Sequence, residues 1–151
     1  SKADPKEIVG MPKNPKISNL SWSPNEKMIA FTNTTDLGVE LWILNLKSNS
    51  ANKVFNLKLN SNIGNVINWF ADSNSLLVKV IPKDKMDLIE STNVVPSGPT
   101  ISSNFGEKAQ NRTYQDLLKN KTDELNFEQL ATSELYKVST DGYHKKWLKK
   151  C

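Results

Sequence analysis

Apolar and polar positions fall into short alternating runs separated by turn signals, which predicts strands over most of the first 60 residues. Ile17–Trp22 (ISNLSW) reads as a first strand leading into the turn SPNEK. There Pro24 presets φ at the first corner, and Asn25 tolerates the left-handed conformation at the next. Residues 28–33 (MIAFTN) follow as a second strand, TTDLG breaks it, and residues 39–46 (VELWILNL) form a third. KSNSAN reads as a turn, and residues 53–59 (KVFNLKL) alternate as a half-exposed fourth strand should. The third strand is almost continuously apolar, with Val39, Leu41, Trp42, Ile43, Leu44 and Leu46. A strand wetted on one face alternates, so this one is expected to be covered on both.

The same series then recurs. NLSW around Trp22 aligns with NVINW around Trp69, 47 residues further on. FADSN takes the place of the Pro-containing turn, and residues 75–81 (SLLVKVI) match KMIAFTN. The third strand reappears only at residues 132–140 (TSELYKVST), where Glu134, Leu135, Tyr136 and Val138 align with Glu40, Leu41, Trp42 and Leu44. Residues 144–150 (HKKWLKK) serve as the fourth strand after DGY. Four strands per unit at a period in the forties is the signature of propeller blades. The expected fold is therefore mainly β: two four-stranded antiparallel blades, with a loop-plus-helix insertion in the second. The expected boundaries are a remnant strand over 1–12, a first blade over 13–62 and a second over 63–151, with the insertion at 82–128.

Pro96, Gly98, Pro99 and Gly106 punctuate a loop early in the insertion. RTYQDLLKNK then places Tyr114, Leu117 and Leu118 at helical spacing, with Thr113 as N-cap and Lys119 and Lys121 near the C-terminus; DELNFEQL adds a further helical turn. Insertions this long are often functional, although a loop packed over the blade edge is the preferred explanation here.

Composition changes this picture little. The chain has 151 residues, 37% hydrophobic and 24% charged, with four Trp and five Phe, enough for a packed domain. A net charge of +4 is weak support for a nucleic-acid partner. Cys151 is the only cysteine, so neither an intramolecular disulfide nor a cysteine metal site is available. No apolar run approaches the roughly 18 residues of a membrane helix. The start, SKADPKEIVG, is polar and lacks Met, as expected of a trimmed chain or a piece of a longer one.

SWSPNEKMIAFT resembles the propeller repeat of the prolyl oligopeptidase family of serine peptidases and of TolB-type propellers, although the usual Asp-Gly-Lys turn is here Asn25-Glu26-Lys27. VPSGPTIS followed by GEKAQNRTYQDLLKNKTDELNFEQLATSELYKV is similar to the propeller insertion of the glutamyl-endopeptidase-like, dipeptidyl-aminopeptidase-related branch of that family. The resemblance implies an internal stretch of a propeller followed, in the parent, by an α/β-hydrolase domain with Ser, Asp and His. It also implies peptides as substrates and a periplasmic or secreted location. DPKEIVGMP is then the outer strand left from a preceding blade. The alternative is a TolB-like or stand-alone propeller acting as a protein-binding scaffold.

Chemistry within the chain is sparse. No Gly-x-Ser-x-Gly elbow occurs, and His144 is the only histidine, so no catalytic, cofactor or metal residue is assigned. A solvated strand position explains His144. HKKWLKK reads as an exposed edge strand rather than a nucleic-acid patch. Asp123, Glu124 and Glu128 read as a solvated helix face. The sequons at Asn19, Asn33, Asn111 and Asn120 are what an Asn-rich chain produces by chance, the first inside an expected buried strand. Trp22, Leu41, Trp42, Trp69, Leu135 and Tyr136 are expected to pack blade against blade. Arg112 and Tyr114 are candidates for a contact made by the insertion. Two blades with open apolar faces are also expected to self-associate.

Overall fold

The computed structural model describes residues 6–90, 118 and 120–148. The strands β1 (Ile17–Trp22), β2 (Met28–Thr35), β3 (Gly38–Asn45) and β4 (Ser50–Lys53) form one antiparallel sheet in that order. The strands β5 (Ile67–Trp69), β6 (Ser75–Val80), β7 (Glu134–Ser139) and β8 (His144–Leu148) form a second sheet with the same order. β6 and β7 pair without a register break, from Ser75↔Ser139 to Val80↔Glu134, although more than fifty residues separate them. The insertion therefore leaves the second meander intact.

Register assigns every strand residue to a face, because directly paired residues point the same way and neighbours alternate. In the first sheet Ala30, Leu41 and Ile43 share a face, and in the second Leu76, Val78, Tyr136 and Val138 share one. These two faces meet in a single buried cluster with Phe55, Leu59 and Val66. The opposite face of the first sheet carries Phe31, Leu44 and Ala51, packed under Ile8, Met11, Ile29 and Trp42. The third strand is thus covered on both sides, which accounts for its unbroken apolar run.

The fourth strand differs from expectation. β4 is Ser50–Lys53, which lies in the stretch read as a turn except for Lys53, the first residue of the expected strand. Residues 54–59 are a crossover between the sheets. Val54 N donates to Leu41 O, and Leu59 bridges Val39 of β3 and Val80 of β6. Phe55 and Leu59 are 2% and 1% exposed. Alternation marks one face as apolar, but here that face is turned inward between two layers rather than laid along a sheet edge.

The turns also depart in detail. Glu26, not Asn25, takes the left-handed conformation (φ 56°), the place of the glycine usual in this repeat, and Ser73 does the same in the second copy (φ 56°). Asn25 and Asp72 act as acceptors instead: Asn25 Oδ1 from Lys27 N and Ser23 Oγ, Asp72 Oδ1 from Asn74 N and Ser75 N. Each side chain closes its turn on the backbone. β1 is an exposed edge strand, so Asn19 is not buried as its sequon reading supposed; its amide Nδ2 donates to Thr32 Oγ1.

Residues 86–130 make a second compact unit. It holds all but the last residue of α1 (Lys121–Ala131), which is capped by Asn120, whose Oδ1 accepts from Asp123 N at 2.9 Å. Lys121 therefore opens this helix, with Leu118 and Asn120 outside it, instead of closing an earlier one. Thr113, Tyr114 and Leu117, the markers of that earlier helix, lie outside the described residues, as does Arg112. Asn126 exchanges two 2.8 Å hydrogen bonds with the backbone N–H and C=O of Ile89, and so holds an extended segment against the helix.

Candidate functional site

Among the described residues, side-chain contacts tie the two sheets together where they meet. Trp69 stands on the face of β5 that looks back at the first sheet, and its indole Nε1 donates to Ser21 O at 3.0 Å. Asn25 N donates to Ser73 Oγ at 3.1 Å, which ties the first turn to its counterpart. Phe55 fills the outer part of the seam, with its ring centroid 5.8 Å from that of Tyr136 and 5.0 Å from that of His144. Asn60, 3% exposed, donates Nδ2 to Thr132 O and Ser133 Oγ, anchoring the chain as it re-enters the sheet.

Two aligned glutamates lie near the starts of the two third strands; Glu40 meets two lysines and Glu134 one. Glu40 lies 2.9 Å from Lys53 Nζ and 3.7 Å from Lys58 Nζ, and accepts the indole N–H of Trp42 at 3.1 Å. The hydrogen bond from Lys53 holds the Glu40 carboxyl below the usual carboxylate range; burial opposes this, and the Trp42 N–H adds to it. Glu134 receives Lys146 Nζ at 2.5 Å, and this hydrogen bond raises the Lys146 ammonium above its ordinary value. Asp72 is lowered mainly by the Ser75 hydroxyl. Glu40 and Glu134 are thus members of structural ion pairs, whereas Asp72 is held by the Ser75 hydroxyl and by backbone N–H groups of its own turn.

Of the six expected packing residues, the seam brings together Leu41, Trp69 and Tyr136. Trp42 lies on the far face of the first sheet, stacked on Phe31 at 6.4 Å between centroids. Trp22 shares that face and is 58% exposed. Leu135 is half-buried on the face of the second sheet that looks away from the first. The last three therefore mark surfaces beyond the one seam. His144 lies on β8 with its Nδ1 3.3 Å from Gly142 O. Among the described residues no three His, Cys, Asp or Glu side chains are grouped to hold a metal ion. Two pockets of about 160 and 210 Å³ are both open, the smaller lying between β1 and β5. Both fall short of the ~300–1,000 Å³ of ordinary small-molecule sites.

The crossover is what sequence reasoning missed. A signal was present: Ile8 stands 47 residues before Phe55, the same interval that separates Trp22 from Trp69. Ile8 packs on the face that carries Trp42, as Phe55 packs on Tyr136.

A four-stranded antiparallel meander, repeated with the same residues on the same faces and packed face to face, is a pair of propeller blades. Along 91% of its length the chain is homologous to proteins named probable glutamyl endopeptidase, chloroplastic. It is 34% identical over 146 residues to the one from Arabidopsis thaliana and 33% identical over 149 residues to the one from Oryza sativa subsp. japonica. It spans only 15% and 16% of those proteins' lengths. Among solved structures it is similar to TolB from Acinetobacter baumannii, with a TM-score of 0.46 and 11% identity over 92% of this chain and 23% of that one. No family model matches.

Proposed function

We propose that this chain is a noncatalytic propeller segment of a serine peptidase, one that restricts access of peptides to a hydrolase domain lying outside these residues. One observation carries the reading: the blade pair coincides with the stretch over which the chain is a third identical to proteins named glutamyl endopeptidases. The absence of a Gly-x-Ser-x-Gly elbow from the 151 residues agrees with a supporting role for this stretch. Blades locked by the Trp69–Ser21 and Asn25–Ser73 contacts form a rigid wall. A wall over an active site selects by size, admitting short or unfolded peptides without contributing to bond cleavage.

The test uses the full-length gene product. It is expected to label with a fluorophosphonate, to cleave short Glu-containing peptides, and to spare folded proteins carrying the same sites. Loosening the seam by Leu41→Ala is expected to raise cleavage of folded substrates while leaving kcat/KM for short peptides nearly unchanged. No labelling, or an unchanged ratio, overturns the proposal. Peptide turnover by the clean 151-residue chain would overturn its noncatalytic half.

A further inference from the structure

The seam between the sheets has an inner lock and an outer filling, and the outer filling occurs twice in this chain. At the inner end Trp69 Nε1 donates to Ser21 O, and the crossover residues Phe55 and Leu59 fill the outer part. Ile8 and Pro12 stand 47 residues before Phe55 and Leu59, and Trp22 stands 47 before Trp69. Ile8 and Met11 pack on the face of the first sheet that carries Phe31 and Trp42, and Pro12, like Leu59, is buried. Val9 fixes this segment beside β4, its N donating to Asn49 O and its O accepting from Ala51 N. Residues 8–12 are thus laid on the first sheet as 55–59 are laid on the second. Trp22 shares that face through its pairing with Ile29, and it is exposed among the described residues. A crossover also says what lies over the face it fills. Residues 54–59 leave β4 and settle on the second sheet, and the sheet they leave is the one stacked there.

Resting on the peptidase reading above, we propose that in the full-length protein a further blade, formed by chain upstream of residue 1, stacks on the Trp22 face of the first sheet. The crossover at residues 8–12 carries this choice of occupant, because consecutive elements joined by a short connection pack side by side. The chain spans only 15% and 16% of its relatives' lengths, which leaves room for such a blade. The blade pair is then an interior part of its ring rather than the start of it. The Trp22 indole donates to a main-chain carbonyl on the innermost strand of the upstream blade, as Trp69 does to Ser21. The face that meets Trp22 is apolar at the positions that Ala30, Leu41 and Ile43 hold in the first sheet.

The test uses the full-length gene product with p-benzoylphenylalanine in place of Trp22, irradiated and mapped by peptide mass spectrometry. Adducts are expected on chain directly upstream of residue 1, in a segment with an apolar third strand of its own. Adducts on residues 86–130, on the hydrolase domain or on a second molecule, or no adduct at all, overturn the inference. Hydroxyl-radical footprinting of the unsubstituted protein is a second measurement that needs no variant. Trp22 is expected to oxidise no faster than Trp69, and severalfold faster oxidation of Trp22 overturns the inference. Fluorophosphonate labelling of the same protein judges the peptidase reading, so the two failures are distinguishable.

Discussion

The two sheets have the same strand order, the same turn and the same assignment of residues to faces, yet equivalent residues have different fates. Trp69 is packed and hydrogen-bonded in the seam, while Trp22, at the same point of the first sheet, is 58% exposed. Leu41 is 0% exposed, and its counterpart Leu135 is half-buried on the face that looks away from the first sheet. Local sequence is nearly constant across these pairs; the difference is whether another sheet stands opposite. Burial here is a property of neighbours, not of the motif.

The largest test of this comparison is Leu41→Ala against Leu135→Ala. The first opens a cavity in the seam and is expected to cost about 2–5 kcal/mol. The second removes half-buried surface only and is expected to cost about 1 kcal/mol or less. Equal costs by denaturant unfolding would mean that the two faces are equally covered. Next, Trp69→Phe removes the indole donor to Ser21 and is expected to cost about 1–2 kcal/mol, from one hydrogen bond and lost packing. Trp22→Phe is expected to be nearly neutral in the same assay.

The turns offer a finer comparison. Glu26 and Ser73 share a left-handed φ that costs an ordinary residue about 1–2 kcal/mol. Glu26→Gly relieves this and is expected to stabilise by about 1 kcal/mol after the extra flexibility of glycine in the unfolded chain is counted. Ser73→Gly relieves the same strain but removes the acceptor for Asn25 N, so little net gain is expected.

The smallest expected effect concerns pH. Glu40 has a folded-state value below its unfolded one, so its contribution to stability is complete above the unfolded carboxylate range, near 4.3. That contribution is lost as pH falls through the lower folded value. Glu40→Gln is therefore expected to flatten the acid limb of the stability profile. Lys146 behaves oppositely: its raised value contributes below the ordinary lysine range and is lost as pH rises through the folded value. Lys146→Met is accordingly expected to lower stability at neutral pH and to flatten the alkaline limb of the profile read by urea unfolding.

Much of the fold was legible in the sequence. The expected strand at Ile17–Trp22 matches β1 at both ends, and the alignment of Glu134, Leu135 and Tyr136 with Glu40, Leu41 and Trp42 places each pair on the same face of its sheet. The errors fell where one pattern serves two structures. KVFNLKL alternates as an edge strand does, but the same period suits an extended crossover threaded between layers. SPNEK reads as a turn with a left-handed Asn, whereas the Asn side chain is more useful as an acceptor, leaving Glu26 to take the strained φ.

Period-two alternation, turn residues and the 47-residue repeat are local, so the sequence by itself determined two four-stranded meanders and which residues share a face. Which of those faces is covered, that residues 54–59 fill the seam, and that Glu40 meets both Lys53 and Lys58 were decided only by the tertiary structure. Pattern marks a surface as apolar; what comes to lie on it depends on chain that is distant in sequence.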